Sequence, residues 1–249
     1  YGNDVRTVYT YDSDGNITHL LTTTSDGEKL QDFAYSYDLN GNRLDKVGLG
    51  QSIHYDYDNM NRLVKAKYNE KEESFTYDLV GNRLTRTTNG ETETYLYNSE
   101  NQLIELHQDL RVTSFTYDNQ GNILKESSRK GITSFSYNPL GQQVKVTIYY
   151  GNTNVNRYDA ENLRAEIGEN QRLTRFIFHR GEILVETDKN DDPISRFVRG
   201  YDVVAGDIVN EESGEVAETR EASRYYYQLD EQRSTAFITS ETAKAENFY

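Results

Sequence analysis

The chain has 249 residues, a formal net charge of −14 at pH 7, and neither cysteine nor tryptophan. The missing cysteines exclude a disulfide framework and a thiolate metal site. The negative charge disfavours nucleic acids and anionic membranes as partners, because both need a clustered basic surface. Hydrophobic residues are 35% of the chain and tyrosines number 21, which predicts a thin sheet covered by tyrosine rather than a thick solid core.

A tyrosine recurs at regular intervals from the start of the chain. The spacings are 26 residues, then five of 20, then 21. This aromatic ladder consists of Tyr11, Tyr37, Tyr57, Tyr77, Tyr97, Tyr117 and Tyr137, and Tyr158 continues the series. A fixed period of this length predicts a repeat architecture.

Each tyrosine is followed by a turn signal. The first turn position is always Asp or Asn, whose short side chain can bond the backbone two residues on; it is occupied by Asp12, Asp38, Asp58, Asp78, Asn98, Asp118, Asn138 and Asp159. The fourth position is always Gly or Asn, the residues that tolerate positive φ; it is occupied by Gly15, Gly41, Asn61, Gly81, Asn101, Gly121, Gly141 and Asn162. We predict a structural role in the turn for all sixteen residues.

The segment between two such turns predicts a pair of strands. Phe75 and Tyr77 are two residues apart and therefore share one face of a strand. Asn89-Gly90 lies halfway between turns and is the strongest short-range hairpin signal, whereas Asn69-Glu70 and Asp109-Leu110 are weaker. The chain is therefore predicted to be all-β, with about twenty strands in one continuous antiparallel hairpin ribbon and little helix.

The regularity of the repeat changes along the chain. Residues 1–165 are predicted to form a regular array, and residues 166–249 a degenerate continuation of the same sheet in a single extended domain. Val209 to Arg224 is interpreted as an acidic loop or irregular hairpin with a turn at Ser213-Gly214, and Glu241 to Glu246 as a polar connection. No apolar run reaches the roughly 20 residues of a membrane span, so membrane insertion is not predicted.

The repeated Tyr-Asp-x-x-Gly-Asn-x-Leu resembles the YD repeat of Rhs-repeat proteins, a group that includes bacterial polymorphic toxins, insecticidal toxin-complex subunits, wall-associated proteins and teneurins. The distal segment resembles the family as well. Arg196 to Gly200 is similar to its strand-then-Gly element, and Tyr225 to Thr235 to its Tyr-Tyr-Tyr-x-x-Asp-x-x-Gly-Ser-Thr stretch. Arg233 stands where the family has Gly. The resemblance covers nearly the whole chain.

The resemblance implies a fold and a function. In the family the ribbon forms a curved or spiralling hollow β-shell that encloses a C-terminal toxin or another polypeptide. We therefore expect a non-catalytic shell segment, from a larger secreted or cell-surface bacterial protein, whose partner is the enclosed polypeptide. The family's aspartyl autoproteolysis signature, Asp-Pro-x-Gly-Leu, does not occur in this sequence, so self-cleavage is not expected.

Two other functions stay open. A tyrosine ladder could bind sugars by stacking, which would make the chain a glycan- or surface-binding adhesion module. An enzyme is the third hypothesis, but no nucleophile elbow, phosphate-binding loop or dinucleotide fingerprint occurs. The histidines, His19, His54, His107 and His179, have no metal-ligand spacing. We predict no catalytic residue, metal or cofactor.

The edges of the predicted sheet suggest one more property. An open sheet exposes unpaired backbone groups that can pair with another copy. The charge of −14 opposes such contacts, but salt screens it over about 8 Å at physiological ionic strength. We therefore expect self-association that increases with protein concentration and with salt.

Overall fold

A computed structural model describes residues 1–209 and 222–248, and every regular element in those ranges is a β-strand. The described residues form 23 strands and no helix. The prediction of an all-β chain of antiparallel hairpins is therefore confirmed. The turn expected at Ser213-Gly214 lies outside the described residues.

The strands follow one another with short connections. They are β1 (Arg6–Tyr11), β2 (Ile17–Thr23), β3 (Lys29–Tyr37), β4 (Arg43–Gly48), β5 (Gln51–Tyr57), β6 (Leu63–Tyr68), β7 (Lys71–Tyr77), β8 (Arg83–Thr88), β9 (Glu91–Tyr97), β10 (Leu103–Gln108), β11 (Arg111–Tyr117), β12 (Ile123–Ser128), β13 (Gly131–Tyr137), β14 (Gln143–Thr147), β15 (Thr153–Tyr158), β16 (Arg164–Glu169), β17 (Arg172–His179), β18 (Glu182–Thr187), β19 (Pro193–Arg199), β20 (Val203–Val209), β21 (Ala222–Leu229), β22 (Thr235–Ser240) and β23 (Ala245–Phe248). The last of these begins inside the stretch that was expected to be a polar connection.

A bulge accompanies the ladder tyrosines. In the β7–β8 pair the register shifts between Thr76 and Tyr77, so that Thr76 is opposite Thr85 and Tyr77 is opposite Arg83. The same shift occurs next to Tyr57 and Tyr117. A turn whose last residue has positive φ is commonly followed by such a bulge, because the extra residue restores antiparallel pairing.

The opposite ends of most hairpins are two-residue turns, including those with weak sequence signals, whereas five residues join β2 to β3 and β14 to β15. Asn69 and Asp109 have φ of 44° and 54°, as Asn89 has 49°. The Asn69 side chain also accepts a hydrogen bond from the Ser52 backbone N–H at 2.9 Å. Asn69 therefore continues the backbone ladder toward the preceding hairpin and stabilises a turn that contains no glycine.

The chain divides into two compact units. Unit 1 consists of Tyr1–Ala34 and Arg157–Tyr249, and unit 2 consists of Tyr35–Asn156. The predicted division at residue 165 was based on the regularity of the repeat and stays a prediction.

Unit 2 has an aromatic face and a hydroxyl face. Tyr55 and Tyr95 are only 8% and 6% exposed on the first. On the second, Thr76 lies opposite Thr85, and their side-chain oxygens are 2.6 Å apart in a hydrogen bond. Side chains alternate between the faces of a strand, so the Phe-x-Tyr and Ser-x-Thr patterns of the repeats separate to opposite sides.

Unit 1 contains a buried hydrophobic core. The expectation of a thin sheet throughout the chain is therefore wrong for this unit. Leu20 is fully buried, and Phe237 and Ile238 are 2% and 4% exposed. Three consecutive residues of β22, Phe237 to Thr239, are buried. Since alternate side chains point to opposite faces of a strand, β22 is covered on both sides.

Part of that cover comes from the first residues of the chain. The Asn3 side-chain amide donates to Thr239 Oγ1 at 2.9 Å and to the Ser240 carbonyl at 2.8 Å. Val5 is 1% exposed, and the Tyr1 ring meets the Tyr226 ring edge-on at 6.4 Å. Contacts between residues more than 220 positions apart therefore complete unit 1.

Candidate functional site

The eight predicted turns share one backbone geometry. In each, the first residue's N–H donates to the carbonyl of the fifth at 2.9–3.0 Å, and the fourth residue's N–H donates to the carbonyl of the first at 2.9–3.3 Å. The fourth residue has φ between 59° and 99° in all eight. The structure thus places every Gly or Asn of the fourth position in the left-handed region that those residues tolerate.

The side chain at the first position organises the turn. Asp78 Oδ1 accepts hydrogen bonds from the backbone N–H groups of Val80 at 3.0 Å and of Asn82 at 2.8 Å. The equivalent pair is present in the other seven turns, at 2.8–3.0 Å. One carboxylate or amide oxygen therefore satisfies two N–H groups that the sheet cannot pair.

A third residue of the turn, at the fifth position, was not predicted from the sequence. Asn82 Nδ2 donates to Asp78 Oδ2 at 2.9 Å, and Arg62 Nε donates to Asp58 Oδ2 at 2.7 Å. Where the first residue is Asn, the fifth is Gln, and Asn98 Nδ2 donates to Gln102 Oε1 at 2.7 Å. This pairing of Asp with Asn or Arg, and of Asn with Gln, is visible in seven of the eight turns of the sequence and would have revealed the contact; Leu163 in the Asp159 turn is the exception.

These hydrogen bonds lower the pKa of the turn carboxyls. The largest cause for Asp12, Asp38 and Asp118 is the side-chain amide of the fifth residue, and the backbone N–H bonds add to it. Hydrogen bonds to the charged form favour ionisation. The carboxylates are therefore charged whenever the turns are formed at neutral pH.

The lowered pKa values predict a loss of stability in acid. The contribution of these carboxylates is complete above the unfolded pKa of 3.8 and is lost as pH falls through the lower folded pKa. We expect the melting temperature to decrease steadily between about pH 5 and pH 2. The paired change Asp118→Asn with Asn122→Gln copies the Asn98–Gln102 turn. A variant that carries this pair, and the same paired change in the Asp12 and Asp38 turns, should show a smaller decrease in melting temperature over this pH range. An unchanged slope in scanning calorimetry would contradict the prediction.

The same turn occurs outside the strict array. The side-chain oxygen Oδ1 of Asp188, and likewise that of Asp230, accepts hydrogen bonds from the backbone N–H groups two and four residues later in the chain. Arg233, at the fourth position of the Asp230 turn, has φ of 65°. The turn therefore keeps its geometry although arginine replaces the family's glycine. Arg233 also contacts Asp202 in an ion pair, and its guanidinium lies 4.2 Å from the Tyr201 ring centre, contacts that offset strain at this position.

The ladder tyrosines connect consecutive repeats. The Tyr77 hydroxyl donates to the Leu63 carbonyl at 2.7 Å, and the same bond, 14 residues back along the chain, is made by Tyr57, Tyr97, Tyr117 and Tyr137 at 2.7–3.0 Å. Burial raises the pKa of Tyr77 and Tyr97. The Tyr11 hydroxyl makes no such bond among the described residues, and Tyr11 is 56% exposed. The ladder is thus engaged by the protein itself in most of its length.

We predict a moderate cost for removing one of these hydroxyls. Tyr77→Phe deletes the bond to Leu63 and should lower the free energy of unfolding by about 0.5–1.5 kcal/mol. Tyr11→Phe is the control, because no hydrogen bond from its hydroxyl occurs among the described residues, and it should leave stability unchanged. Urea denaturation of both variants measures the difference, and equal midpoints would contradict it.

Neighbouring turn tips are also joined side by side in unit 2. Asn40 and Asn42 both donate to Asn61 Oδ1, at 3.0 and 2.8 Å. Arg62 Nη1 donates to the Asp78 carbonyl at 2.9 Å, and the Arg62 guanidinium lies 4.8 Å from the Tyr77 ring centre. Turn, tyrosine and arginine therefore form a connected edge rather than separate loops.

The titratable side chains near these turns form hydrogen bonds and ion pairs that have a structural role. Ser36 Oγ donates to Asp45 Oδ2 at 2.6 Å, and His54 Nδ1 is 2.7 Å from Asp45 Oδ1. That hydrogen bond to Asp45 raises the pKa of His54. A nucleophilic serine must instead donate to the imidazole, so this trio lacks the catalytic arrangement. Glu73 is buried and bonded by Lys71 at 2.8 Å and Arg86 at 2.6 Å.

No group of three or more His, Cys, Asp or Glu side chains in residues 1–209 and 222–248 is placed to hold a metal ion. His107 pairs with Glu105 and His19 with Asp32, each at 2.7 Å. Over the same described ranges, no helix is long and apolar enough to cross a membrane.

Two shallow depressions adjoin on unit 2. One, of about 630 Å³, is lined by Thr88, Glu91, Thr92, Glu93, Gln108, Asp109 and Arg111. The other, of about 520 Å³, shares Gln108 and Arg111 and extends to Lys130. The first lining is mainly polar, the second also includes Val112, and neither contains a ladder tyrosine.

Comparison with known proteins places these repeats in a family. The family model described as the teneurin YD-shell matches residues 47–243. No curated protein matches the chain.

Solved structures resemble the chain at low sequence identity. A chain of the Photorhabdus luminescens Tc holotoxin pore is 14% identical, with a TM-score of 0.48, over 96% of this chain and 16% of that one. A TcdB2-TccC3-TEV chain is 14% identical, with a TM-score of 0.48, over 98% and 17%. A TcdB2-TccC3-Cdc42 chain is 14% identical, with a TM-score of 0.47, over 96% and 16%. This chain therefore spans about a sixth of the length of those it resembles.

Proposed function

Because the chain belongs to the teneurin YD-shell family, we propose that it is a non-catalytic wall segment of a YD-repeat shell that encloses another polypeptide of its parent protein. The parent would be a secreted or cell-surface bacterial protein. The enclosed polypeptide, such as a C-terminal toxin, is the partner that this proposal assigns to the wall.

The cross-repeat bond of the ladder tyrosines is the observation that carries this proposal. Each bond joins a ladder hydroxyl to a backbone carbonyl of the preceding repeat. Such bonds add mechanical continuity to a wall whose strands are already paired, and they use the polar tip of a side chain that a ligand-binding surface would leave available. A continuous, internally satisfied sheet is suited to separating one space from another.

The absence of a catalytic role is supported by how the acids are used. The first-position oxygens accept two backbone N–H groups each, as in Asp78 and Asp118. Their pKa values are lowered, whereas a general acid at neutral pH needs a raised one. The most regular carboxylates of the chain are therefore unsuited to acid catalysis.

The test asks which face of the sheet contacts a tethered polypeptide. Residues Val112 and Thr113 are consecutive in β11, so their side chains point to opposite faces. A photoreactive residue is introduced at either site in a chain whose C-terminus carries an unfolded reporter peptide. We expect intramolecular cross-links from one site at least about tenfold above the other, since a wall presents a single face to what it encloses. Equal cross-linking from both sites would refute the enclosing role.

An adhesion module is a second candidate, favoured by one exposed aromatic pair. Tyr149 and Tyr150 are 47% and 61% exposed, and their rings meet edge-on at 4.7 Å. The missing side chain of Gly131 leaves room for Tyr149, since a Cβ there would lie 2.6 Å from the Tyr149 Cβ. Exposed rings of this kind can stack on sugars. Specific binding on a glycan array that is lost in Tyr149→Ala with Tyr150→Ala would favour this function.

A further inference from the structure

We propose that unit 2 binds a phosphorylated sugar at hairpin ends opposite to the predicted turns, with three cations holding the phosphate and an exposed aromatic pair stacking on the sugar ring. The cations are Arg111, Arg129 and Lys130, which line the depression of about 520 Å³. The aromatic pair is Tyr149 and Tyr150. The inference therefore rests on the adhesion function proposed above for that pair, and it names the class of ligand.

The three cations are available to a ligand. Their side chains are exposed and have no hydrogen bond or ion pair among the described residues. Ser114 is opposite Ser127, so the same antiparallel count toward the hairpin ends brings Arg111 level with Lys130. The positive charges therefore lie together where β11 begins and β12 ends.

The lining of this depression is positive in a chain that is strongly negative. Glu126 is the only carboxylate among the described residues that line it, which leaves a net charge of +2 against −14 for the whole chain. A phosphomonoester carries about −1.5 to −2 at pH 7 and matches this charge, whereas a carboxylate carries less. Guanidinium groups bind phosphate oxygens in a bidentate manner, and Thr113 and Ser128 add hydroxyl donors to the lining.

The repeat framework does not require these cations. The preceding repeat has two acidic residues and a leucine at the equivalent positions, twenty residues earlier, which are Glu91, Asp109 and Leu110. Of the charged residues that line the adjoining depression, three are acidic and one is basic. Two neighbouring depressions on the same scaffold therefore have opposite charge, and only the second is suited to an anion.

The aromatic pair borders the basic depression. Ser128, which lines the depression, is opposite Gly131. A Cβ at Gly131 would lie 2.6 Å from the Tyr149 Cβ, so Tyr149 packs directly over this glycine. Tyr150 is 61% exposed beside it. A sugar whose phosphate is held by the cations can therefore place its ring against the pair.

Isothermal titration calorimetry with glucose 6-phosphate tests both halves of the site. We expect a dissociation constant between about 0.1 and 3 mM, and binding about tenfold weaker for glucose and for inorganic phosphate, because each supplies only one half of the ligand. Arg129→Gln with Lys130→Gln should weaken glucose 6-phosphate binding about tenfold as well. Lys125→Gln with Lys145→Gln is the matched control, since it removes the same charge from exposed residues of the hydroxyl face, and it should leave binding unchanged.

Each part of the inference can be contradicted separately. Equal binding of glucose and glucose 6-phosphate would overturn it while the adhesion function stands, and a chain that binds no sugar of either kind would contradict both. Inorganic phosphate that binds as tightly as glucose 6-phosphate would remove the sugar from the proposal. Tighter binding of a phosphotyrosine peptide would assign the site to a modified protein instead. Equal effects of the two double glutamine variants would attribute binding to overall charge and not to this depression.

Discussion

Replacing Ile238 by Ala is expected to lower the free energy of unfolding by about 2–5 kcal/mol. Ile238 is 4% exposed in β22, and its neighbours Phe237 and Thr239 are 2% and 0% exposed. The truncation removes three carbon atoms from a site that is covered on both sides, so the surrounding side chains can close the gap only in part. The loss combines the transfer free energy of the deleted atoms with the cavity they leave.

Ile177→Ala is the matched control for this experiment. Ile177 belongs to the same unit and also lies in a strand, β17, but it is 53% exposed. Both substitutions lose the same strand preference of a β-branched residue, so the difference between them reports burial. Urea denaturation followed by tyrosine fluorescence measures both. If the two variants lose similar stability, the core of unit 1 is not formed in solution as the structure has it.

That core also shows where reasoning from the sequence ends. Leu20 and Phe237 are more than 200 residues apart, yet both are buried within unit 1. A composition of 35% hydrophobic residues gives an average over the chain and does not reveal that unit 1 buries Val5, Leu20, Phe237 and Ile238. The periodic signal describes each hairpin, whereas the contact between the two ends depends on tertiary structure.

The turns, in contrast, can be predicted from the sequence, because their hydrogen bonds and backbone conformation depend on neighbouring residues only. The φ requirement of the fourth residue and the hydrogen-bonding reach of the first are both contained in a five-residue window. The residue at the fifth position was overlooked although Asn82 and Gln102 stand in that window. The bond from Tyr77 to the Leu63 carbonyl spans 14 residues and depends on the register of two strands, so the sequence pattern alone places the ring on a face without giving its partner.

The turn at Gly81 provides the second large expected effect. Gly81→Val should destabilise the protein by about 1–3 kcal/mol, because Gly81 has φ of 99°, where a β-branched residue is strained. Apart from Gly81 itself and its two chain neighbours, no residue has an atom within 4 Å of the position that a Cβ would occupy. The cost therefore comes from the backbone conformation and not from crowding, and repacking of neighbours cannot relieve it.

Gly81→Asn distinguishes backbone strain from side-chain crowding as the cause of the lost stability. Asn61 and Asn101 occupy the same position of neighbouring turns at φ of 59° and 61°, and Asn101 Oδ1 accepts a hydrogen bond from Asn82. Asparagine is larger than alanine but tolerates the left-handed region, so we expect Gly81→Asn to cost less than about 1 kcal/mol. Thermal denaturation of the two variants decides between strain and size. If Asn destabilises the turn as much as Val does, the conformational requirement at the fourth position is not what fixes its residue, and the repeat must select Gly and Asn there for another reason.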